Sequence, residues 1–361
     1  WAERHDAVLA MTPAHLRADV EARLRRIGVH APERDDADAL APLFAQLFPD
    51  ARSGDDLQAR AAAVALRHNL VLVTGGPGTG KTTTVVRLLA LLQEAAMATG
   101  EPLRLSLAAP TGKAAARLTE SIGAQVQTLA LDERVREQIP TLVTTLHRLL
   151  GSRPSSRHFR HDAANPLPLD VLVVDEASMI DLEMMACVLD ALPQAARLIL
   201  LGDKDQLASV EAGSVMGDLC REAEKGDYNA QTAQWLSTHS GEALVDPELQ
   251  MAEGAGAPLA QQTVMLRRSW RFDPQKGIGR LAKLVNNKQA SEARRVLEQP
   301  SEQLFNLPVR GEQDAALSDL AIDGNRNAPG YRHYLVQLRD LRPVADTQWD
   351  SELWAGWAGK V

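Results

Sequence analysis

Little in this 361-residue chain points to export or to a membrane. Only two cysteines occur, Cys187 and Cys220, each inside an apolar helical pattern. That predicts buried, reduced thiols in a cytoplasmic protein rather than disulfides. No apolar run approaches the ~18–20 residues that a membrane-spanning helix needs, so no membrane partner is expected. No charged-then-apolar leader follows Trp1, and Trp1 in place of Met leads us to expect further chain upstream. An excess of positive charge is missing as well: 39 Lys and Arg face 47 Asp and Glu, for a net charge of −8. Charge as a whole therefore does not announce a nucleic-acid binder. There is no internal repeat. No Asp/Glu/Lys cluster beyond one phosphate-binding pattern marks a nuclease metal centre.

What is present is an ordinary globular composition, 45% hydrophobic and 24% charged, with length for two or so domains. Charge is uneven: Arg267, Arg268, Arg271, Lys276, Arg280, Lys283, Lys288, Arg294 and Arg295 cluster against only Asp273 and Glu292. Such a stripe serves phosphates or simply faces solvent. Residues 1–54 read as short helices broken by Pro13, Pro32 and Pro42, with His15 to Ile27 the clearest amphipathic piece. From Leu57 helices and strands alternate. Helix 58–67, strand 70–73, a helix to about 96, strand 103–109, helix 112–122, strand 171–174, helix 182–192, strand 197–201 and helix 213–223 predict a parallel sheet flanked by helices. Residues 225–262 are polar and weakly periodic, which suggests a linker or mobile insertion. Order restarts with a strand at 263–266. A helix from Gly277 to Lys288 follows, with Ile278, Leu281, Ala282 and Val285 on one face. Trp349, Trp354 and Trp357 read as core packing.

Three motifs carry chemistry. Gly75-Gly76-Pro77-Gly78-Thr79-Gly80-Lys81-Thr82-Thr83 follows the apolar run Leu70–Val73 and precedes a helix, the context that makes G-x-x-x-x-G-K-[ST] a phosphate cradle. Its glycines turn successive N–H groups inward and the helix adds its positive end. Lys81 would reach the β- and γ-phosphates of ATP and the Thr82 hydroxyl would ligate Mg²⁺. Val171-Leu172-Val173-Val174 then delivers Asp175 and Glu176 to the carboxyl edge of a buried strand. Asp175 suits the same Mg²⁺ and Glu176 suits polarisation of an attacking water. Leu198 to Leu201 likewise ends at Gly202 and presents Asp203 and Gln206, and Gln206 can bond both γ-phosphate and water. A glycine-rich turn, an acidic helix cap and a common Gly-Asp turn are the plainer alternatives to the three.

Together with Ala109-Pro110-Thr111-Gly112-Lys113-Ala114-Ala115, Thr145-Leu146-His147-Arg148-Leu149-Leu150-Gly151, Gly202-Asp203-Lys204-Asp205-Gln206-Leu207 and Leu266-x-x-Ser269-Trp270-Arg271-Phe272, these motifs resemble superfamily 1 DNA helicases. Their wording resembles the RecD subunit family of exodeoxyribonuclease V over about residues 55–290. The resemblance implies a RecA-like P-loop domain at 55–224 and an incomplete second helicase domain at 263–361. Two later motor motifs of the family are not found between Phe272 and Val361, so the chain resembles a piece of such an enzyme. The resemblance also implies that Gln58 reads adenine, that Arg271 reaches the γ-phosphate, and that Pro110, Thr111, Lys113 and His147 line a single-stranded DNA track. It implies RecB-like and RecC-like partners and 5′→3′ movement driven by ATP. An ATP-binding structural or regulatory subunit and a stand-alone helicase of the same kind stay open. A small-molecule P-loop kinase fits poorly, because a kinase needs an acceptor pocket rather than a water-positioning Glu.

Overall fold

The computed structural model describes residues 19–20, 22–24, 27, 41–49, 57–153, 156, 158–206, 215–240, 249–299, 304, 306–311, 314–325, 328–342 and 357. The chain divides into two compact units, Trp1–Arg271 and Phe272–Val361.

In the first unit, helix α1 (Ala41–Leu47) and helix α2 (Leu57–Arg67) precede strand β1 (Leu70–Gly75), and helix α3 (Lys81–Thr99) follows the glycine-rich loop. Strand β2 (Leu105–Ala109), helix α4 (Gly112–Thr128), a short α5 (Glu133–Glu137), strand β3 (Thr144–Thr145) and helix α6 (Leu146–Leu150) come next. Strand β4 (Val171–Val174), a 3-10 turn at Ala177–Met179, helix α7 (Leu182–Ala191), strand β5 (Arg197–Gly202) and α8 (Val215–Leu219) complete the alternation. After them lie β6 (Gly226–Tyr228), α9 (Ala230–His239), β7 (Gln250–Met251) and β8 (Thr263–Leu266).

The six-stranded sheet has the order β3-β2-β4-β5-β1-β8, and every pairing in it is parallel. The expected α/β class with a parallel sheet flanked by helices is what the chain adopts. Strands β1, β4 and β5 are buried along their whole length, as a sheet covered on both faces requires. Their side chains divide by the period of two. Val71, Val73, Val173, Ile199 and Leu201 join the core with α2, α3 and α4. Leu70, Leu72, Leu172, Val174, Leu198 and Leu200 join the opposite core with α6, α7 and α8. Leu88, Leu89, Leu91 and Leu92 of α3 are all buried, which anchors the helix behind the glycine-rich loop. Each such leucine is worth about 1.5–3 kcal/mol of transfer free energy.

Two boundaries differ from the sequence expectation. The stretch read as a linker or insertion at 225–262 carries β6, α9 and β7, and its described residues pack on the first unit. Tyr228 is buried and its hydroxyl donates to Thr263 O at 2.6 Å, while Trp235 Nε1 donates to Ala63 O at 2.8 Å. Two aromatic anchors do here what a periodic apolar face does elsewhere. The strand at 263–266, expected to open a second domain, instead pairs with β1 as the edge of the first sheet, with Val73 beside Val264.

The second unit holds α10 (Gly277–Asn286), α11 (Ala290–Glu298), α12 (Ala315–Ile322), a two-stranded ladder of β9 (Gly324–Asn325) with β10 (Ala328–Pro329), and α13 (Tyr331–Asp340). The helix expected at Gly277–Lys288 forms, but Ile278 and Val285 of its apolar face are exposed. Of the tryptophans expected in a core, Trp349 and Trp354 lie outside the described residues and Trp357 is half-buried. Cys187 is half-buried and Cys220 buried; both are free, and burial pushes each thiol up to about 12. No described helix is long and apolar enough to cross a membrane.

Candidate functional site

The carboxyl ends of β1, β4, β5 and β8 meet at one edge of the sheet, the place where ligands of open α/β sheets bind. A cleft of about 1470 Å³ opens there. Gln58, Pro77 to Thr83, Asp175, Glu176, Gln206 and Arg271 all line it. Gly75 and Gly76 stand just behind, at the end of β1 and the start of the loop.

The loop is built by its glycines. Gly78 and Gly80 have φ of 78° and 87°, left-handed values that a side chain strains to reach. A Cβ on Gly78 would stand 2.5 Å from the Arg271 Cβ, and one on Gly80 2.3 Å from the Gln58 Nε2. Thr79 Oγ1 donates to Gly76 O at 2.9 Å and closes the turn. Lys81 Nζ donates to Gly75 O at 2.6 Å and Gly76 O at 3.2 Å, so its ammonium is folded back over the loop. Thr82 and Thr83 sit in the first turn of α3 and face the cleft.

Across from the loop, Asp175 and Glu176 leave β4. Glu176 has φ 53°, a left-handed conformation rare for a residue with a side chain. Its N–H donates to Asp175 Oδ1 at 2.9 Å. Burial pushes the Asp175 carboxyl above its ordinary range, against the pull of that N–H; the Glu176 charge pushes the same way and Lys81 opposes it. Asp203 at the end of β5 is buried and shifted up by burial too, with the Asp205 N–H and Lys81 opposing. Among the described residues no group of three His, Cys, Asp or Glu side chains forms a metal centre of its own.

Several residues in or beside the cleft had no role assigned from sequence. Ser178, almost fully buried, donates through Oγ to Gln206 Oε1 at 3.2 Å. Arg87 of α3 donates to Gln58 Oε1 at 3.3 Å. The segment bearing Arg271 is tied to the loop: Trp270 N–H donates to Gly78 O at 2.8 Å and Ser269 Oγ to Pro77 O at 3.0 Å. The Arg268 guanidinium lies 4.1 Å from the centre of the exposed Trp270 ring. Nothing in the local sequence marks the Ser178 and Arg87 pairings.

The residues expected on a DNA track come from neighbouring strands, since Ala109 of β2 is in register with Thr145 of β3. Pro110 follows β2 and is half-buried; Thr111, Lys113 and His147 are exposed. The Thr111 Oγ1 caps α4 by accepting from Ala114 N–H at 3.2 Å. Thr111 and Lys113 also line the large cleft, while Pro110 and His147 do not. The His147 ring meets Phe159 edge-on, with centroids 5.9 Å apart.

Residues 58–212 match a family model described as an AAA domain. The chain is similar to the RecBCD enzyme subunit RecD of Haemophilus influenzae, 39% identical over 301 residues, covering 82% of this chain and 44% of that protein. It is similar to the RecBCD enzyme subunit RecD of Mycobacterium tuberculosis, 43% identical over 280 residues, covering 77% of this chain and 46% of that one. An ATP-dependent RecD2 DNA helicase of Deinococcus radiodurans is 42% identical over 146 residues, 40% of this chain and 17% of its own length. Among solved structures, a Pif1 helicase from Bacteroides in complex with ADP-AlF3 and ssDNA matches at 19% identity and a TM-score of 0.32, over 68% of this chain and 48% of that one. The chain spans about half the length of the curated RecD relatives it matches.

Proposed function

This chain is RecD-like over most of its length, and from that premise we propose that it is part of an ATP-dependent DNA helicase. The reading is a subunit of a RecBCD-type exodeoxyribonuclease V that moves 5′→3′ on single-stranded DNA with RecB-like and RecC-like partners. Its service would be double-strand-break repair and recombination. One observation carries the enzymatic part: Lys81, Asp175, Glu176, Gln206 and Arg271 line one cleft around the glycine-rich loop.

The residues present fit ATP and Mg²⁺. Gly78 and Gly80 occupy positions that any Cβ would fill, so backbone N–H groups can approach a phosphate closely. Lys81, held by carbonyls that it can exchange for phosphate oxygens, would neutralise the β- and γ-phosphates. Thr82 and Asp175 would hold Mg²⁺, which when bound offsets charge on the β- and γ-oxygens. Glu176 would accept a proton from the attacking water. Gln206, whose carbonyl oxygen is engaged by Ser178, keeps its amide N–H groups for the γ-phosphate or that water. Arg271 would stabilise the negative charge spreading over the transferred phosphoryl group. Gln58 would read adenine, and Pro110, Thr111, Lys113 and His147 would hold the DNA backbone without reading sequence. The unit Phe272–Val361 would be part of a second helicase domain.

ATP hydrolysis by this chain, with and without single-stranded oligonucleotide and beside Lys81→Gln, tests the reading. Lys81-dependent nucleotide binding is expected. Turnover that rises with DNA and vanishes in Lys81→Gln would show a DNA-coupled site already within these residues. Binding indifferent to Lys81 would overturn the assignment.

A further inference from the structure

The turn that carries Gln206 is held from outside the cleft. Strand β5 ends at Gly202, and residues 203–206 then close on themselves. The Gln206 N–H donates to Asp203 O at 3.2 Å and the Asp205 N–H to Asp203 Oδ1 at 3.1 Å. Lys204 is a central residue of this turn and is anchored twice. Its N–H donates at 3.0 Å to Oγ1 of Thr74, a fully buried residue of β1 that directly precedes Gly75. Its ammonium stands 2.6 Å from Asp205 Oδ1 and 2.7 Å from Glu224 Oε1, and its side chain is only 12% exposed. Gln206 lines the cleft and Lys204 does not.

Burial alone would pull the Lys204 ammonium down, and the two carboxylates more than reverse that, holding it above its ordinary range. The same ammonium holds the Glu224 carboxyl below its own. A sheltered ammonium shared by two carboxylates grips harder than a pair of solvated chains. Gln206 needs such support. It is exposed, and its carbonyl oxygen accepts from Ser178 Oγ at 3.2 Å. An exposed side chain meets a γ-phosphate in one pose only if the backbone beneath it is fixed. Lys204 supplies that fixing, because one residue holds the floor of the phosphate loop through Thr74 and the turn's own Asp205 through its side chain. Without the ammonium, Asp205 and Glu224 would face each other as like charges and push the turn open.

We propose that Lys204 is a positioning residue that, with Asp205 and Glu224, fixes the turn bearing Gln206 on the end of β1 and so sets how strongly the site responds to a γ-phosphate. The inference deepens the nucleotide reading above and rests on it. Lys204 acts through Gln206 and needs no contact with the nucleotide.

The test is equilibrium binding of fluorescent ADP and of a fluorescent β,γ-imido analogue of ATP, both with Mg²⁺. The proteins are this chain, Lys204→Met, Lys204→Arg, Gln206→Ala and the Lys204→Met/Gln206→Ala double variant. Gln206→Ala should lower the affinity for the analogue relative to ADP, which marks the γ-phosphate contact. Lys204→Met keeps an apolar stem and removes the clamp. It is expected to weaken the analogue about three- to tenfold, the size of one hydrogen bond, and ADP less than about twofold. Lys204→Arg, whose guanidinium can span the same two carboxylates, is expected to keep more of the analogue's affinity than methionine does. In the Gln206→Ala background Lys204→Met should add nothing. Equal weakening of ADP and the analogue, or full additivity with Gln206→Ala, would mean that Lys204 only props the fold. Lys81-dependent binding whose ratio of analogue to ADP ignores Gln206→Ala or Lys204→Met overturns this inference alone. Binding that ignores Lys81 overturns it together with the nucleotide assignment.

Discussion

The two ends of the sheet's carboxyl edge are built in opposite ways. Around β1, β4 and β5 the polar side chains already have partners: Lys81 on the loop carbonyls, Gln206 on Ser178, Gln58 on Arg87 and Asp175 on the Glu176 N–H. Beyond β2 and β3, Thr111, Lys113 and His147 stand exposed at the starts of helices. The first arrangement suits a small ligand of fixed geometry, for which pre-organisation saves ordering entropy at binding. The second suits a polymer backbone gripped through repeated phosphates, where reach matters more than a single pose.

The two ends are expected to fail differently. The largest effect is expected from Gly78→Ala, which strains a left-handed residue and drives a Cβ into Arg271. Nucleotide affinity in a titration should fall by more than about tenfold, while affinity for a single-stranded oligonucleotide stays within about twofold. Acid comes next. Because burial raises the Asp175 carboxyl above the ordinary range, protonation would remove the proposed Mg²⁺ ligand at a higher pH than for an exposed aspartate. Mg²⁺-dependent nucleotide binding should drop about tenfold per unit once pH falls through that raised value. The sign for stability is the reverse: Asp175 and Asp203 favour the folded state as pH falls from their raised values toward the ordinary one, and that contribution is absent at neutral pH. Lys113→Ala should weaken oligonucleotide binding a few-fold and lower the slope of log K against log salt by about 0.7, with nucleotide binding little changed. The smallest effect is Thr111→Ala, which removes the α4 cap and should cost about 1 kcal/mol in a denaturant titration. A similar loss of nucleotide and DNA affinity in Gly78→Ala and Lys113→Ala would erase the contrast.

What could be read from sequence follows the physics of each part. Asp175 and Glu176 were legible because four buried apolar residues run straight into two carboxylates, and the loop because its glycines, Lys81 and Thr82 are contiguous. The bonds Ser178–Gln206 and Arg87–Gln58 join positions 28 and 29 residues apart, and only the fold brings them together. The segment 225–262 misled because single aromatics, Tyr228 and Trp235, dock it without periodicity. The strand 263–266 was visible as a strand, but its partner, β1, lies almost two hundred residues upstream and leaves no local trace.

The left-handed backbone of Glu176 carries a consequence for anyone selecting sturdier versions of this protein. Non-glycine residues lose roughly 1–2 kcal/mol in that conformation, and glycine relieves most of it. Glu176→Gly should therefore unfold at higher temperature than the parent while losing the carboxylate proposed to receive the water's proton. A screen that rewards heat resistance and ignores turnover would enrich that substitution. Persistence of the glutamate under such a screen would mean that its backbone is not the liability its torsion angle suggests.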